Sequence, residues 1–509
     1  MTMTADAVIG IDVGTTNFKL LVLDAAGARL AESSVTYPLD MGPGGRVTQD
    51  PELWWTSLEE CLARVGRQMD LRRVGALALS SQGETLICCD DTGRALAPAI
   101  SWMDTRAAAT TGELQRLRDD WTARTGKPIA TYCNLAKIHW LRRHRPELIA
   151  RTRRFCQVAD YLIYRLTGRW VCDLNVASFS SAANVWERGW DVELCRDFDL
   201  EDKLPEIGEA GTIVGPLRPE LRQRWGLRDD VQLVLGGHDQ GCAVLGAGPP
   251  TVGSVFLSAG TAWVLYAPTR RPAPSAESNA VRYCHAWPDL WATLASYTGC
   301  GALNHWIDRF CRAERFEAEQ QGRAVYDWLL RDENLAEDLI VIPYLFGAVC
   351  PDNDPAARAA LLDLEPAHTP ANVACGFALA VVFETRRNLE CLRSLGVDPG
   401  GLVMSGGGAR GRVWPQWVAD ACRLPISVMR HSDTAPLGAA FLAGCALGFW
   451  PDGRLPDYPI ARRCEPRADR AERFDALYER YLRAVEMDRR RRRPEPADTP
   501  AEVLSIPSA

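Results

Sequence analysis

The chain has no Cys-x-x-Cys pair, and among its 17 cysteines only Cys88 and Cys89 are adjacent. An odd count without zinc spacing excludes a disulfide framework and a zinc ribbon. It reads as reduced thiols in a cytoplasm, most of them packed as small hydrophobes in apolar stretches (Cys242, Cys375, Cys422, Cys445). The N-terminus MTMTADAVIG lacks a basic region and a long apolar run, so no secretory signal is expected. The most apolar helical segment, residues 373–383, is too short for the roughly 20 residues that cross a bilayer, so no membrane partner is expected either. Positive charge is in deficit: 58 Lys and Arg against 65 Asp and Glu give a net charge of −7, which argues against a nucleic-acid surface. The local exception is the arginine run 489–493, which reads as a solvated tail because Pro494, Glu495 and Pro496 follow it. Gly-x-x-x-x-Gly-Lys-Ser/Thr occurs nowhere, which excludes a P-loop phosphate cradle.

What is present is one turn used twice. Ile9-Gly10-Ile11-Asp12-Val13-Gly14-Thr15-Thr16-Asn17-Phe18-Lys19 and Val255-Phe256-Leu257-Ser258-Ala259-Gly260-Thr261-Ala262-Trp263 are each an apolar strand, a short polar turn carrying Gly-Thr, and a second apolar strand. The glycine lets the backbone approach an anion, and the following amide and hydroxyl can donate to it. Two such turns suggest two related halves gripping one phosphate chain. A length of 509 residues makes two domains the default. The pattern is α/β, sheet with flanking helices, twice over. Strands are expected at 8–12, 18–24, 29–37, 74–80 and 231–235, and a helix opens at Asp50-Pro51. In the second half a helix over 371–395 follows Thr369-Pro370, a strand spans 402–404, and residues 414–422 are helical. The small-residue segment from Thr434 to Ala440 can pack its backbone closely on a ligand or a neighbour. Gly246 to Pro250 punctuates the chain, which places domains at 1–247 and 248–485 and a disordered tail at 486–509.

Several residues could carry chemistry. Asp12 ends a buried strand, where a lone carboxylate is costly; a water-held Mg2+ would compensate it and neutralise charge on phosphates. Asp239, after the small residues Gly236-Gly237-His238, is a candidate general base, and a helix-capping role for it stands level on local sequence. His238 reads as a packing or hydrogen-bonding group. Gln82, Glu84, Trp102, Asp104 and Arg106 form a polar set suited to vicinal hydroxyls and the C–H face of a polyol. Gly406, Gly408 and Gly411, with Asp433 beyond them, also satisfy a dinucleotide fingerprint. That rival reading is a dinucleotide-dependent oxidoreductase; it leaves both Gly-Thr hairpins unexplained. A third reading is a catalytically inactive sugar or nucleotide sensor.

These motifs, in their order and spacing, resemble the FGGY family of carbohydrate kinases, in the actin/hexokinase-like superfamily. The resemblance runs from about Val8 to Trp450 and adds Asp160-Tyr161-Leu162, Gly237-His238-Asp239-Gln240, Tyr344-Leu345-Phe346-Gly347 and Ser405-Gly406-Gly407-Gly408-Ala409 to the two turns. It implies two ribonuclease-H-like domains with a central cleft, and transfer of the γ-phosphoryl of ATP to a sugar or polyol hydroxyl. It implies Asp239 as general base, Asp12 as the residue orienting Mg2+, and Gly14, Thr15, Thr16, Lys19, Gly260 and Thr261 at the phosphates. Gly407, Gly408 and Ala409 would face adenosine, while Gln82, Glu84, Trp102, Asp104, Asp239 and Gln240 would hold the substrate. A homodimer is a fair default for such an enzyme. The chain also departs from its kin. Gly83 stands where glycerol kinases carry arginine, the Met-His-Gly of xylulokinases is missing, and Gly347-Ala348-Val349 replaces a frequent Gly-Glu-Arg. The Gly-His-Asp-Gln stretch is closer to fuculokinase-like members, so a ketose or sugar alcohol is the expected substrate.

Overall fold

The computed structural model describes residues 5–272 and 279–492. Strands β1 (Ala7–Val13), β2 (Asn17–Asp24) and β3 (Arg29–Thr36) form an antiparallel meander. Helix α1 (Pro51–Gly66) follows, started by the Asp50 side chain accepting from the Glu52 amide and by Pro51 in its first turn. Strands β4 (Val74–Ser81), β5 (Ile213–Pro216) and β6 (Gln232–His238) complete a six-stranded sheet in the order β5-β6-β4-β1-β2-β3. β1 and β4 are buried at every residue, as strands covered on both faces must be. β6 runs on through Gly236-Gly237-His238, past the expected end at 235. A Cβ at Gly236 would lie 2.0 Å from the Leu79 carbonyl oxygen, so glycine is what allows this pairing. Helices α2 (Val158–Thr167) and α3 (Leu174–Phe179) lie between β4 and β5, and α4 (Asp239–Ala247) leaves the end of β6.

The second half repeats the plan. Strands β7 (Val255–Ala259), β8 (Ala262–Thr269), β9 (Val281–Cys284), β10 (Trp291–Thr298), β11 (Leu402–Ser405), β12 (Ile426–Met429) and β13 (Ile460–Cys464) form a sheet in the order β9-β10-β8-β7-β11-β12-β13. In both sheets the hairpin carrying the Gly-Thr turn is antiparallel, its first strand pairs in parallel with one later strand (β1 with β4, β7 with β11), and that strand pairs in parallel with the next (β4 with β6, β11 with β12). Helix α5 (Pro370–Ser394) is closed at its start by a reciprocal Thr369–Asn372 capping box. It is followed by α6 (Val413–Cys422), α7 (Ala435–Ala446) and α8 (Ala471–Arg492). Among the described residues no helix is long and apolar enough to cross a membrane. All seventeen cysteines are free thiols.

Helix α7, from the second half of the chain, lies on the first sheet and against α4. Its small residues make this possible. A Cβ at Gly10 of β1 would stand 1.9 Å from the Pro436 carbonyl oxygen and 2.5 Å from the Ala440 nitrogen. Gly10→Ala is therefore expected to cost roughly 1–3 kcal/mol through overpacking, read as a fall in Tm by calorimetry. One expectation needs correction: the arginine run is no free tail as far as Arg492. α8 carries it, and Arg492 pairs with Asp488 at 2.9 Å and with Asp354, while Arg489 lies 3.9 Å from Asp352. Asp488 on the same helix, with Asp352 and Asp354 opposite it, pairs these arginines; residues 493–509 lie outside the described ones.

Candidate active site

The register of the first sheet builds the site. Asp12 of β1 lies opposite Ser80 of β4, which pairs with Gly237 of β6; one step on, Val13, Ser81 and His238 form the next row. Gly14, Gln82 and Asp239 thus emerge together beyond the ends of three adjacent strands, where ligands of α/β sheets bind. Ser80 Oγ donates to Asp12 Oδ1 at 2.8 Å. Burial, and then the neighbouring charge of Asp239, push the Asp12 carboxyl up to about 7. Two carboxylates held this way suit a divalent cation carrying waters and phosphate oxygens of its own. Among the described residues no group of three or more His, Cys, Asp or Glu side chains could hold a metal alone.

The capping reading of Asp239 fails. The residue that caps α4 is His238, whose Nδ1 accepts from the Gln240 amide at 3.2 Å. That nitrogen lies 2.9 Å from Asp239 Oδ1: in the neutral ring its lone pair serves the helix and the buried Oδ1 has no hydrogen-bond donor, whereas the protonated ring donates to Oδ1. Burial works to lower the His238 pKa, and the carboxylates of Asp239, Glu84 and Asp173 outweigh it, leaving the ring above its ordinary value. The ring stacks on Phe179 at 3.8 Å, and Phe179 on Tyr283 at 3.6 Å. A Cβ at Gly83 would stand 2.4 Å from the His238 ring, so this stack fills the space an arginine at position 83 would need.

Gln82 and Gln240 each present a buried side-chain oxygen with no donor, like Asp239. The other end of Gln82 donates to Gln49 Oε1 at 2.8 Å. Glu84 adopts a left-handed backbone, φ 52. Its amide donates to Gln157 Oε1 at 2.8 Å, its carbonyl accepts from Lys137, and Lys127 Nζ donates to its Oε1 at 2.9 Å. Trp102, exposed, is anchored by its Nε1 on Thr15 Oγ1 at 3.0 Å. Asp104 does not face this group as a free carboxylate. It accepts from the Val47 amide at 2.8 Å, the Arg106 amide at 3.0 Å and the Arg106 guanidinium, so it fastens its own loop.

At the first turn the Gly14 amide closes on the Asn17 carbonyl at 2.9 Å, and Thr16 Oγ1 accepts from Asn17. Lys19 reaches across to Asp433 of the second half at 2.5 Å. At the second turn Gly260 and Thr261 share a cavity of about 510 Å³ with Gly407 and Gly408, walled by Tyr326, Asn304 and Trp414. Pairing of Ser258 with Ser405 brings the two turns together. Ala409 is buried and borders a different cavity, on the other side of its turn. The Gly406 to Gly411 turn does not open a unit of its own, since β11 lies between β7 and β12 in mid-sheet.

Local sequence gave no sign of Lys127 or Lys137. Both are fully buried beside Glu84. Lys127 stays charged because Cys133, Glu84 and Tyr283 outweigh the effect of burial, whereas burial drops Lys137 to about 7. Asn175, also unforeseen, accepts from the His238 amide at 2.9 Å and donates to the Cys284 carbonyl at 2.6 Å. It ties the strand that delivers Asp239 to β9 of the second half.

Sequence models of the FGGY carbohydrate kinases match nearly the whole chain, the N-terminal domain over residues 7–246 and the C-terminal domain over 255–447. The chain is 28% identical to the xylulose kinase of Escherichia coli over 487 residues, 93% of this chain and 99% of that protein. It is 24% identical to the gluconokinase of Bacillus subtilis over 463 residues, 88% of each. A solved xyloylose kinase from Brucella ovis superposes with a TM-score of 0.85 at 26% identity, covering 94% of this chain and 99% of that one. With the repeated sheet, the paired turns and this coverage, the chain belongs to the FGGY family of carbohydrate kinases.

Proposed function

We propose that the protein transfers the γ-phosphoryl group of ATP to a hydroxyl of a ketose or sugar alcohol, with Asp239 as general base. The observation that carries this reading is the donorless, buried Oδ1 of Asp239, set two rows beyond Asp12 at the mouth of the first sheet. The substrate hydroxyl donates to that oxygen. As the hydroxyl oxygen bonds to phosphorus and the bond to ADP breaks, its proton passes to Asp239. Thr15, Thr16 and Lys19 from one side, and Gly260 and Thr261 from the other, hold the phosphates, while the cavity at Gly407 and Gly408 takes the adenosine. Mg2+, held through Asp12, supplies neutralisation of charge on the phosphate oxygens.

The donorless oxygens of Gln82, Asp239 and Gln240 ask for a ligand that donates, as hydroxyls do. Lys127 is paired with the Glu84 carboxylate, and Lys137 donates to the Glu84 carbonyl, so neither buried lysine is set out as a counter-ion for a sugar acid. A neutral ketose such as the one the xylulose kinases are named for is therefore the first candidate, and gluconate the contrast. ADP release assayed over ketopentoses, ketohexoses, polyols and gluconate tests this. Turnover is expected with a neutral ketose or polyol and not with gluconate. Turnover with gluconate alone overturns the substrate assignment, and none with any sugar supports the inactive sensor.

A further inference from the structure

A cavity of about 660 Å³ lies on the far face of the glycine turn from the adenosine side, sharing Arg410 with it. Its walls come from both halves of the chain: Arg29 and Glu32 of β3 on one side, and Arg410, Arg430, His431 and Asp433 on the other. The charges in it do not balance. Asp433 is engaged by Lys19 at 2.5 Å, and Glu32 meets Arg29 only at 3.4 Å with its side chain 72% exposed. Arg410 donates to the neutral Ser432 hydroxyl at 3.0 Å. Among the described residues neither Arg410 nor Arg430 has an ion pair. His431 senses the same excess: burial first, then the charges of Arg29 and Arg430, hold its pKa below the ordinary value.

We propose that this cavity is a second ligand site, taking a phosphate dianion, free or esterified to a small metabolite, and that its occupation alters turnover. Arginine forks match phosphate oxygens in pairs, and three guanidiniums around one cavity concentrate an anion there. The volume is that of a small-molecule site. Two connections lead to the reaction. Arg410 belongs to the turn that walls the adenosine cavity, and Asp433 holds Lys19 of the first Gly-Thr hairpin. A ligand touching β3 and the 430–433 loop together binds one relative setting of the two halves better than another, which is what shifts a population.

The binding half of this inference stands apart from the kinase reading; the effect on turnover rests on it. The test is calorimetric titration of the full-length protein with inorganic phosphate and, in a parallel arm, with glucose 6-phosphate. A non-hydrolysable ATP analogue and Mg2+ are kept saturating and ionic strength is fixed. The comparison is the double variant Arg29→Gln/Arg430→Gln, whose folding is checked by its melting curve. The wild type is expected to bind one ligand per chain and the variant at least about tenfold more weakly. Whichever arm binds tighter identifies the free or the esterified form. Turnover is expected to change at least about twofold on adding that ligand to the wild type, and not with the double variant. Loss of binding once the analogue is present would make the cavity part of the nucleotide site and overturn the proposal. Equal affinity in wild type and variant overturns it too, and binding without any effect on turnover overturns its regulatory half. A chain inactive on every sugar leaves the binding result decisive and refutes only the kinase reading.

Discussion

Asp239→Asn is expected to lower kcat at least about a hundredfold, the lower end of what loss of a general base costs, while ATP and sugar still bind. Asparagine keeps the size of the side chain and one acceptor oxygen, so the pocket around it needs no repacking. What it loses is the ability to take a proton. The capping alternative makes a different forecast, a loss of stability with turnover intact, and the geometry already disfavours it because His238 Nδ1 does the capping. The backbone that aims Asp239 is fixed from behind by Asn175, which accepts from the His238 amide. Removing one of two facing carboxylates also relieves Asp12, so the variant is expected to melt no lower than the wild type. Steady-state ADP release gives kcat, and calorimetry gives the two affinities. Near-normal turnover would remove Asp239 from the chemistry.

The features legible in the sequence were those that local rules dictate. The apolar runs of β1 and β2 on either side of the polar turn at Gly14, and their repeat around Gly260, specify hairpins whatever surrounds them. Asp50-Pro51 and Thr369-Pro370 announce their helices through capping chemistry that sits within four residues. What stayed hidden depends on contacts between distant residues. Nothing near Lys127 marks it as fully buried; it becomes so because Glu84, on another element, takes its charge. Asp104 reads as a ligand group until the Val47 amide and Arg106 are seen to use both its oxygens. Likewise α7 reads as part of the second domain by chain order, and only its shape match to Gly10 puts it on the first sheet. The arginine run gives a further case, since a cluster of like charge favours a solvated tail until Asp352 and Asp354 are brought opposite it.

Asp12→Asn is expected to separate stability from activity, moving them in opposite directions. The Asp12 carboxyl is buried against Asp239 and holds its proton up to about 7, whereas in the unfolded chain an aspartate ionises near its ordinary value of about 3.9. Between those two values the folded state binds more protons than the unfolded one. Stability of the metal-free protein therefore falls as pH rises from about 4 to about 7, and above that the whole penalty is present. Asparagine cannot ionise, and its oxygen can still accept from Ser80 Oγ as Asp12 does. The variant is thus expected to melt higher than the wild type at pH 8, with the gap shrinking toward pH 4. Its kcat is expected to drop at least about a hundredfold, because a metal ion at a transferring phosphate is worth several kcal/mol. Calorimetric melting of the metal-free protein across that pH range checks the first arm, and ADP release at saturating Mg-ATP checks the second. A variant that melts lower at pH 8 would mean that the Asp12 charge is compensated within the protein itself. The case for an external cation at this carboxylate would then fall, since an uncompensated buried charge is the reason for invoking one.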